Sequence, residues 1–335
     1  TMSERVTPEN AVEQYLTSKK LDATQSTVNN HRYRLSTFIE WANDNGFHDM
    51  NDLSGMEVEK FKNWKVERGN IGKVTLKNHL HTFRVFLRYC ENIEVVPEGI
   101  ADKVMIPVLE DGEDARSVFV SHERSMQILD YLEKYEYATN AHVIWAILIH
   151  TGCRRSALYA LDVEDWHPKE SYLSFKNREG TPLKNRDDGE RNATITKPNI
   201  AEAIDDYIND KRHDIEDEYG REPLLTSSQG RLHGKTISKI CYKVTRPCWY
   251  GAECPHDRDP VECEGAKYSG YSKCPSSVSS HPVRRSAITQ HLNASVPLQI
   301  VSERVDCSPE VIEKHYREQN QEERREARKR YLDNI

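Results

Sequence analysis

Three short stretches gather side chains suited to chemistry on a phosphate. Thr151-Gly152-Cys153-Arg154-Arg155-Ser156-Ala157-Leu158 sets an arginine just after a helix-breaking glycine. His281-Pro282-Val283-Arg284 holds a histidine and an arginine three residues apart, and Ser308-Pro309-Glu310-Val311-Ile312-Glu313-Lys314-His315-Tyr316 brings a tyrosine close to the end of the chain. A guanidinium is planar, permanently charged and offers parallel N–H donors, so two of them can grip the non-bridging oxygens of a phosphodiester. That grip stabilises the charge of the transition state and aligns the phosphorus for in-line attack. A phenol is an oxygen nucleophile, but its pKa of about 10 leaves about one in a thousand ionised at neutral pH, a handicap of roughly 4 kcal/mol. A departing sugar oxygen is too basic to leave without a proton, which a positioned acid must supply. Taken singly, each residue has an ordinary structural reading. Most tyrosines on helices pack, Arg154 can cap a helix end or pair with Asp162, and a histidine before proline can cap a helix start. It is the co-occurrence of the three stretches that sets these residues apart.

A second constellation is made of sulfur. Four of the eight cysteines crowd into one segment as Cys248, Cys254, Cys263 and Cys274, with His256 among them and Pro, Gly and Asp between. A reducing compartment disfavours disulfides here. Four soft donors in a core-poor insert, at about 246–276, point to a structural tetrahedral zinc whose binding would supply local folding energy. The spacing lacks the paired two-residue knuckles of common zinc sites, so scattered free thiols and redox regulation remain the alternatives, and His256 is the substitute ligand. Cys90, Cys153 and Cys241 read as core thiols.

The elements that must position these residues are mostly helices. Val28, Leu35, Phe38, Ile39 and Ala42 mark one face of a helix from near Ser26 to before Gly46, and Leu76, Leu80, Phe83, Leu87 and Cys90 mark another. Shorter helices fit Ala11 to Leu16 and Val58 to Trp64, which predicts an all-α domain over residues 1–105. A linker rich in acids, with Pro107 and Gly112, follows at 106–117. The second domain, 118–335, begins with helices over Ser121 to Tyr135 and Thr139 to His150. Tyr172 to Phe175 and Asn192 to Thr196 predict the strands of a long hairpin. Helix returns over Asn199 to Arg212, after His281, and from Ser308 onward, with Glu322 to Leu332 reading as an exposed charged helix. The class is mainly α with a small β-sheet: an all-α N-terminal domain and a mixed α+β second domain.

In order and spacing the three stretches resemble the boxes of the tyrosine recombinase family, the phage integrases and the Xer and Cre type, over roughly residues 118–335. The Cys-rich insert is similar to that of archaeal integrase-like members. The resemblance implies an N-terminal core-DNA-binding domain and a catalytic domain that breaks and rejoins DNA through a 3′-phosphotyrosyl intermediate. It implies Tyr316 as nucleophile, Arg154 and Arg284 as the phosphate clamp, and His281 as the histidine of the second box. Lys184 on the hairpin matches the lysine that protonates the leaving 5′ oxygen, with Lys176 and Lys197 as alternatives. The family's His or Trp nine residues before the tyrosine is here Cys307, a poor donor to phosphate. The covalent bond conserves the energy of the broken phosphodiester, so rejoining needs neither ATP nor a catalytic metal. The partners implied are duplex DNA and further copies of the chain, a dimer on one site and a tetramer in synapsis. An inactive DNA-binding regulator on this fold and a type IB topoisomerase are the alternatives.

Composition narrows the classes. The chain has 335 residues, with 47 Lys and Arg against 54 Asp and Glu for a net charge of -7, and its mean hydropathy is -0.79. Neither domain is basic overall, so a nucleic-acid binder of this composition must concentrate its cations on one face. Lys73 and Lys77, at the start of the Leu76 helix, are the candidate DNA contacts of the first domain. The longest apolar run, Val143 to Ile149, falls well short of the about 20 residues that cross a bilayer. Thr1-Met2-Ser3-Glu4-Arg5 has no apolar stretch of the kind an export signal carries. A cytoplasmic, nucleoid-associated protein is expected.

Overall fold

The computed structural model describes residues 5–69, 71–110 and 120–316, with side chains as far as Glu313. Contacts divide the chain into two compact units, residues 1–116 and 117–335.

Unit one contains helices α1 (Pro8–Lys19), α2 (Gln25–Asp44), α3 (Gly55–Glu67) and α4 (Lys73–Asn92). Thr7, Thr24 and Ser54 cap the first three, each side-chain oxygen accepting from the backbone N–H three residues on. The apolar faces legible in the sequence meet inside. Phe38 lies with its ring centroid 4.8 Å from that of Phe83, which is also 4.8 Å from Phe61, and Trp41 and Phe86 complete the cluster. Lys73 opens α4 and Lys77 lies one turn on, near the helix start where the sequence set them. The expected linker at 106–117 lies largely outside the described residues.

Unit two is built round α6 (Asn140–Thr151), which is apolar on every side and buried from Ala141 to Ile149. Against it pack α5 (His122–Tyr135), whose N-cap is Ser121, and the short α7 (Arg155–Ala160). A three-stranded antiparallel sheet follows, in the order β1 (Trp166–His167), β2 (Tyr172–Phe175), β3 (Arg191–Thr194). Trp166 and Ala193 both pair with Leu173. The sequence reading missed β1 and set β3 late. The strand ends at Thr194, opposite Tyr172, because the partner strand begins only after Ser171, whose backbone is left-handed (φ 52°). The Ile195 N–H still bonds Ser171 O at 2.7 Å. The expected helix to Arg212 is α8 (Pro198–Asp206) continued by a π-turn over Tyr207–Lys211. A small hairpin, β4 (Thr226–Ser227) and β5 (Gly230–Arg231), leads to α9 (Gly234–Val244). The Cys-rich insert then runs to α10 (Ser280–Asn293), α11 (Leu298–Val305) and α12 (Pro309–Tyr316). The charged helix expected at Glu322 to Leu332 lies outside the described residues. Among the described residues, no helix is long and apolar enough to cross a membrane.

Candidate active site

The turn that carries Arg154 is set by local chemistry. Helix α6 ends in Gly152, whose left-handed conformation (φ 63°) returns its N–H to Leu148 O. Thr151 Oγ1 then accepts from the Cys153 N–H at 3.2 Å, and Arg154, in extended conformation, becomes the N-cap of α7. Glycine is required here twice over, for the positive φ and because a Cβ would stand 3.1 Å from Val305 Cγ1 and 3.5 Å from Ala287 Cβ.

Arg284 lies one turn into α10 and is 4% exposed. Its Nη1 donates to Gly152 O at 2.7 Å and to Val305 O at 2.6 Å, so one edge of the guanidinium staples the Arg154 turn to the end of α11. Arg284 also lines an open cleft of about 540 Å³. Arg154, Lys184 and His281 line the same cleft, so four of the five residues singled out for catalysis converge. Of the three candidate lysines, Lys184 faces this cleft, whereas Lys176 pairs with Asp165 at 3.6 Å and Lys197 starts α8. Ser279 and Ser280 lie beside His281 in the cleft wall, so the positive end of the α10 dipole adds to its attraction for an anion. Among the described residues lining the cleft none is acidic. The cleft thus concentrates positive side chains in a chain whose net charge is -7.

Sequence reading did not single out Arg155, Ser156, Ser238, Tyr242, Ser279 or Ser280, which also line the cleft. Arg155 adds a further cation, held through Nη1 to Ser238 Oγ at 2.9 Å, and Tyr242 lies on the same helix, α9. The signal for α9 was present in the spacing of Ile237, Cys241 and Val244, all buried. The reading of Arg154 as a partner of Asp162 is corrected. Asp162 is held by Arg231 and lies 3.4 Å from Arg178, while the partner of Arg154 is Asp306, the left-handed residue that ends α11. Asp306 also accepts from Asn185 Nδ2 at 2.7 Å. Cys307 sits beside Asp306 and Ser308 in a neighbouring cavity with Arg191. Burial lowers the pKa of that arginine, and Arg284 and Arg154 lower it further by like charge, against the pull of Asp306. Tyr316 is the last residue of α12, and its side chain lies outside the described residues.

The four clustered cysteines line one small cavity with His256, apart from the cleft. Burial and the nearby thiols raise the Cys248 pKa, against the Arg246 charge. At Cys263 desolvation is outweighed by N–H groups of Gly265 and Ala266 and by Arg258, which hold the thiol below its ordinary value. Cys90, Cys153 and Cys241 are fully buried, as core thiols should be.

Residues 12–92 match the family model of the phage integrase N-terminal SAM-like domain. A solved Tn1549 transposon integrase in complex with circular intermediate DNA aligns at 12% identity over 97% of this chain and 100% of its own, with a TM-score of 0.68. A lambda integrase dimer bound to a COC′ core site aligns at 11% identity over 93% of this chain and 96% of its own, with a TM-score of 0.64. The N-terminal domain of a phage integrase/site-specific recombinase from Haloarcula marismortui aligns at 28% identity over 31% of this chain and 98% of its own, with a TM-score of 0.30. No curated protein sequence matches the chain significantly. Residues 12–92 thus resemble a phage integrase N-terminal SAM-like domain, and the chain shares the mostly helical fold, with its small sheets, of these solved integrases.

Proposed function

We propose that the protein is a site-specific DNA recombinase of the integrase type, cleaving and rejoining strands through Tyr316. The observation that carries this reading is the meeting of Arg154, of Lys184 from the hairpin, and of His281 and Arg284 in one cleft with no lining acid among the described residues. Integrases of the same fold are recorded on circular intermediate DNA and on a core site, which supports duplex DNA as the substrate here. In the cleft, Arg154 and Arg284 hold the scissile phosphate. The Tyr316 phenol attacks phosphorus as His281 takes its proton, and the 5′ oxygen leaves with a proton from Lys184. The product is a 3′-phosphotyrosyl bond and a free 5′ hydroxyl, and reversal by a partner strand rejoins the DNA. Lys73 and Lys77 contact the backbone of the same duplex, and copies of the chain pair on a site and assemble as a tetramer in synapsis. The protein works among the chromosomal DNA of the cytoplasm.

Asp306 favours a second reading, a DNA-binding regulator without cleavage, because its carboxylate already engages the Arg154 guanidinium. A nicked duplex spanning the DNA next to the gene separates the two. The recombinase forms a denaturant-resistant protein–DNA adduct that Tyr316→Phe abolishes. Binding without adduct supports the regulator, and an adduct that persists in the Phe variant refutes the assignment of the nucleophile.

A further inference from the structure

The insert between α9 and α10 has no apolar core. From Trp249 to Ser277 the buried residues are Gly265, Gly270 and Cys274, while Val261 and Tyr268 are 82% and 74% exposed. Its regular structure amounts to 3₁₀ turns at Pro247–Tyr250, Glu264–Ala266 and Tyr271–Lys273. Ordering a chain costs about 1–2 kcal/mol per residue, and hydrophobic burial of this extent does not offset that. The backbone is nevertheless drawn in tightly. A Cβ on Gly265 would stand 2.9 Å from Cys274 N, and one on Gly270 would stand 2.0 Å from Glu264 O.

What converges inside this loop is sulfur. Cys248, Cys254, Cys263 and Cys274 share the wall of a cavity of about 10 Å³, room for one small ion and too little for an organic ligand. All four are free thiols. His256, the other donor in the cavity wall, already has its Nε2 bonded to Ser276 Oγ at 2.7 Å.

We propose that Cys248, Cys254, Cys263 and Cys274 bind one zinc ion as a tetrahedral set of thiolates, and that this metal is what orders the insert. A four-sulfur donor set selects zinc over the hard cations that oxygen ligands hold. Among the described residues, no three His, Cys, Asp or Glu side chains are placed to hold a metal ion as they stand. Binding therefore draws the thiols inward by rotation about χ1, towards Zn–S distances of about 2.3 Å. The role is a brace, set apart from the reacting cleft. Two residues past Cys274, Ser276 O accepts from Arg124 Nη2 at 2.8 Å, and the Val278 N–H donates to Thr245 Oγ1 at 2.9 Å. The metal thereby fixes the backbone that delivers Ser279, Ser280 and His281 to the start of α10.

The test is the zinc content of the full chain, purified without added metal or chelator and measured by plasma mass spectrometry. One zinc per chain is expected, released to a chromophoric chelator in step with modification of four thiols. The Cys263→Ser/Cys274→Ser double variant should lose it, and Cys307→Ser should keep it. Since the double variant could unfold, cobalt exchange into the wild-type protein supplies a second readout, the intense ligand-field absorption of a tetrahedral thiolate site. A double variant with undiminished zinc, a wild-type chain that neither carries zinc nor takes up cobalt, or cysteines joined in disulfides under non-reducing digestion would overturn the proposal.

Discussion

Cys274 and Ser280 lie six residues apart and are each 8% exposed, yet what encloses them differs. Around Ser280 the cleft stands on a large apolar core: α6 is buried throughout its middle, and α10 and α11 press Val283, Ala287, Val301 and Val305 inward. Charged side chains are afforded there because the scaffold beneath them is rigid without them, apart from the Arg284 staple. Around Cys274 there is no such scaffold, and backbone closeness is achieved through two glycines and four thiols. In the proposed function, the region that holds a phosphate is built on packing, with cations added at its rim. In the proposed zinc site, the bracing region dispenses with packing because a cross-link replaces it.

Variants that touch one region and spare the other sharpen this contrast. The largest expected effect is on the cleft. Lys184→Ala should slow DNA cleavage by about 10²–10⁴-fold and leave zinc content and thermal stability unchanged. Because a thiolate leaves without a proton, a substrate with sulfur in place of the bridging 5′ oxygen should recover most of that loss. A variant equally slow on both substrates would show that Lys184 is not the acid.

Smaller effects are expected from added methyl groups. Gly152→Ala must hold φ 63° with its Cβ 3.1 Å from Val305 Cγ1, a strain of about 1–3 kcal/mol that calorimetry should read as a drop of several degrees in Tm. Gly265→Ala should instead push Cys274 aside and weaken metal retention, with little change in the main transition. If both variants lowered Tm alike and zinc retention did not change, the two regions would share one core, contrary to this account.

The smallest effect concerns acid. His142 is fully buried, its Nδ1 accepts from the Ala138 N–H at 3.2 Å, and Nε2 has no hydrogen-bond partner among the described residues. Burial pulls its pKa down to about 4. The unfolded chain, with a histidine pKa of about 6.5, therefore takes up this proton first. The stability contributed by neutral His142 is whole above about pH 6.5 and is lost as pH falls towards about 4, by an amount on the order of 2–3 kcal/mol. His142→Gln keeps an acceptor for Ala138 and cannot titrate, so its unfolding free energy should fall less steeply between pH 6.5 and 4.5. An unaltered slope would mean that other groups set the acid limit.

Much of this organisation was legible in the sequence, and the reasons are local. The faces marked by Leu35 and Phe38, and by Leu80, Phe83 and Leu87, are buried because helical period alone determines which side chains align. Arg154, His281 and Arg284 could be picked out because their short stretches occur together, Arg154 just after the helix-breaking Gly152 and His281 three residues before Arg284. Asp306 could not. It meets Arg154 across 152 residues of sequence, and such a pairing is a property of the folded core rather than of any pattern along the chain. The ionic cluster of Asp162 with Arg178 and Arg231 was hidden for the same reason. Helix α9 was overlooked although its buried face has a regular period, because it is short and lies between a hairpin and the cysteine segment. The length of β3 depended on its partner strand, which begins only after the left-handed Ser171, a conformation that no period along the chain announces.

The account rests on a phosphate being transferred to one phenol. Digestion of the adduct trapped on nicked duplex, followed by mass spectrometry of the nucleotide-bearing peptide, tests this directly. The predicted result is a nucleotide joined through its 3′ phosphate to Tyr316. A phosphate on any other side chain, or a 5′ linkage, would contradict the role given to the cleft of Arg154 and Arg284.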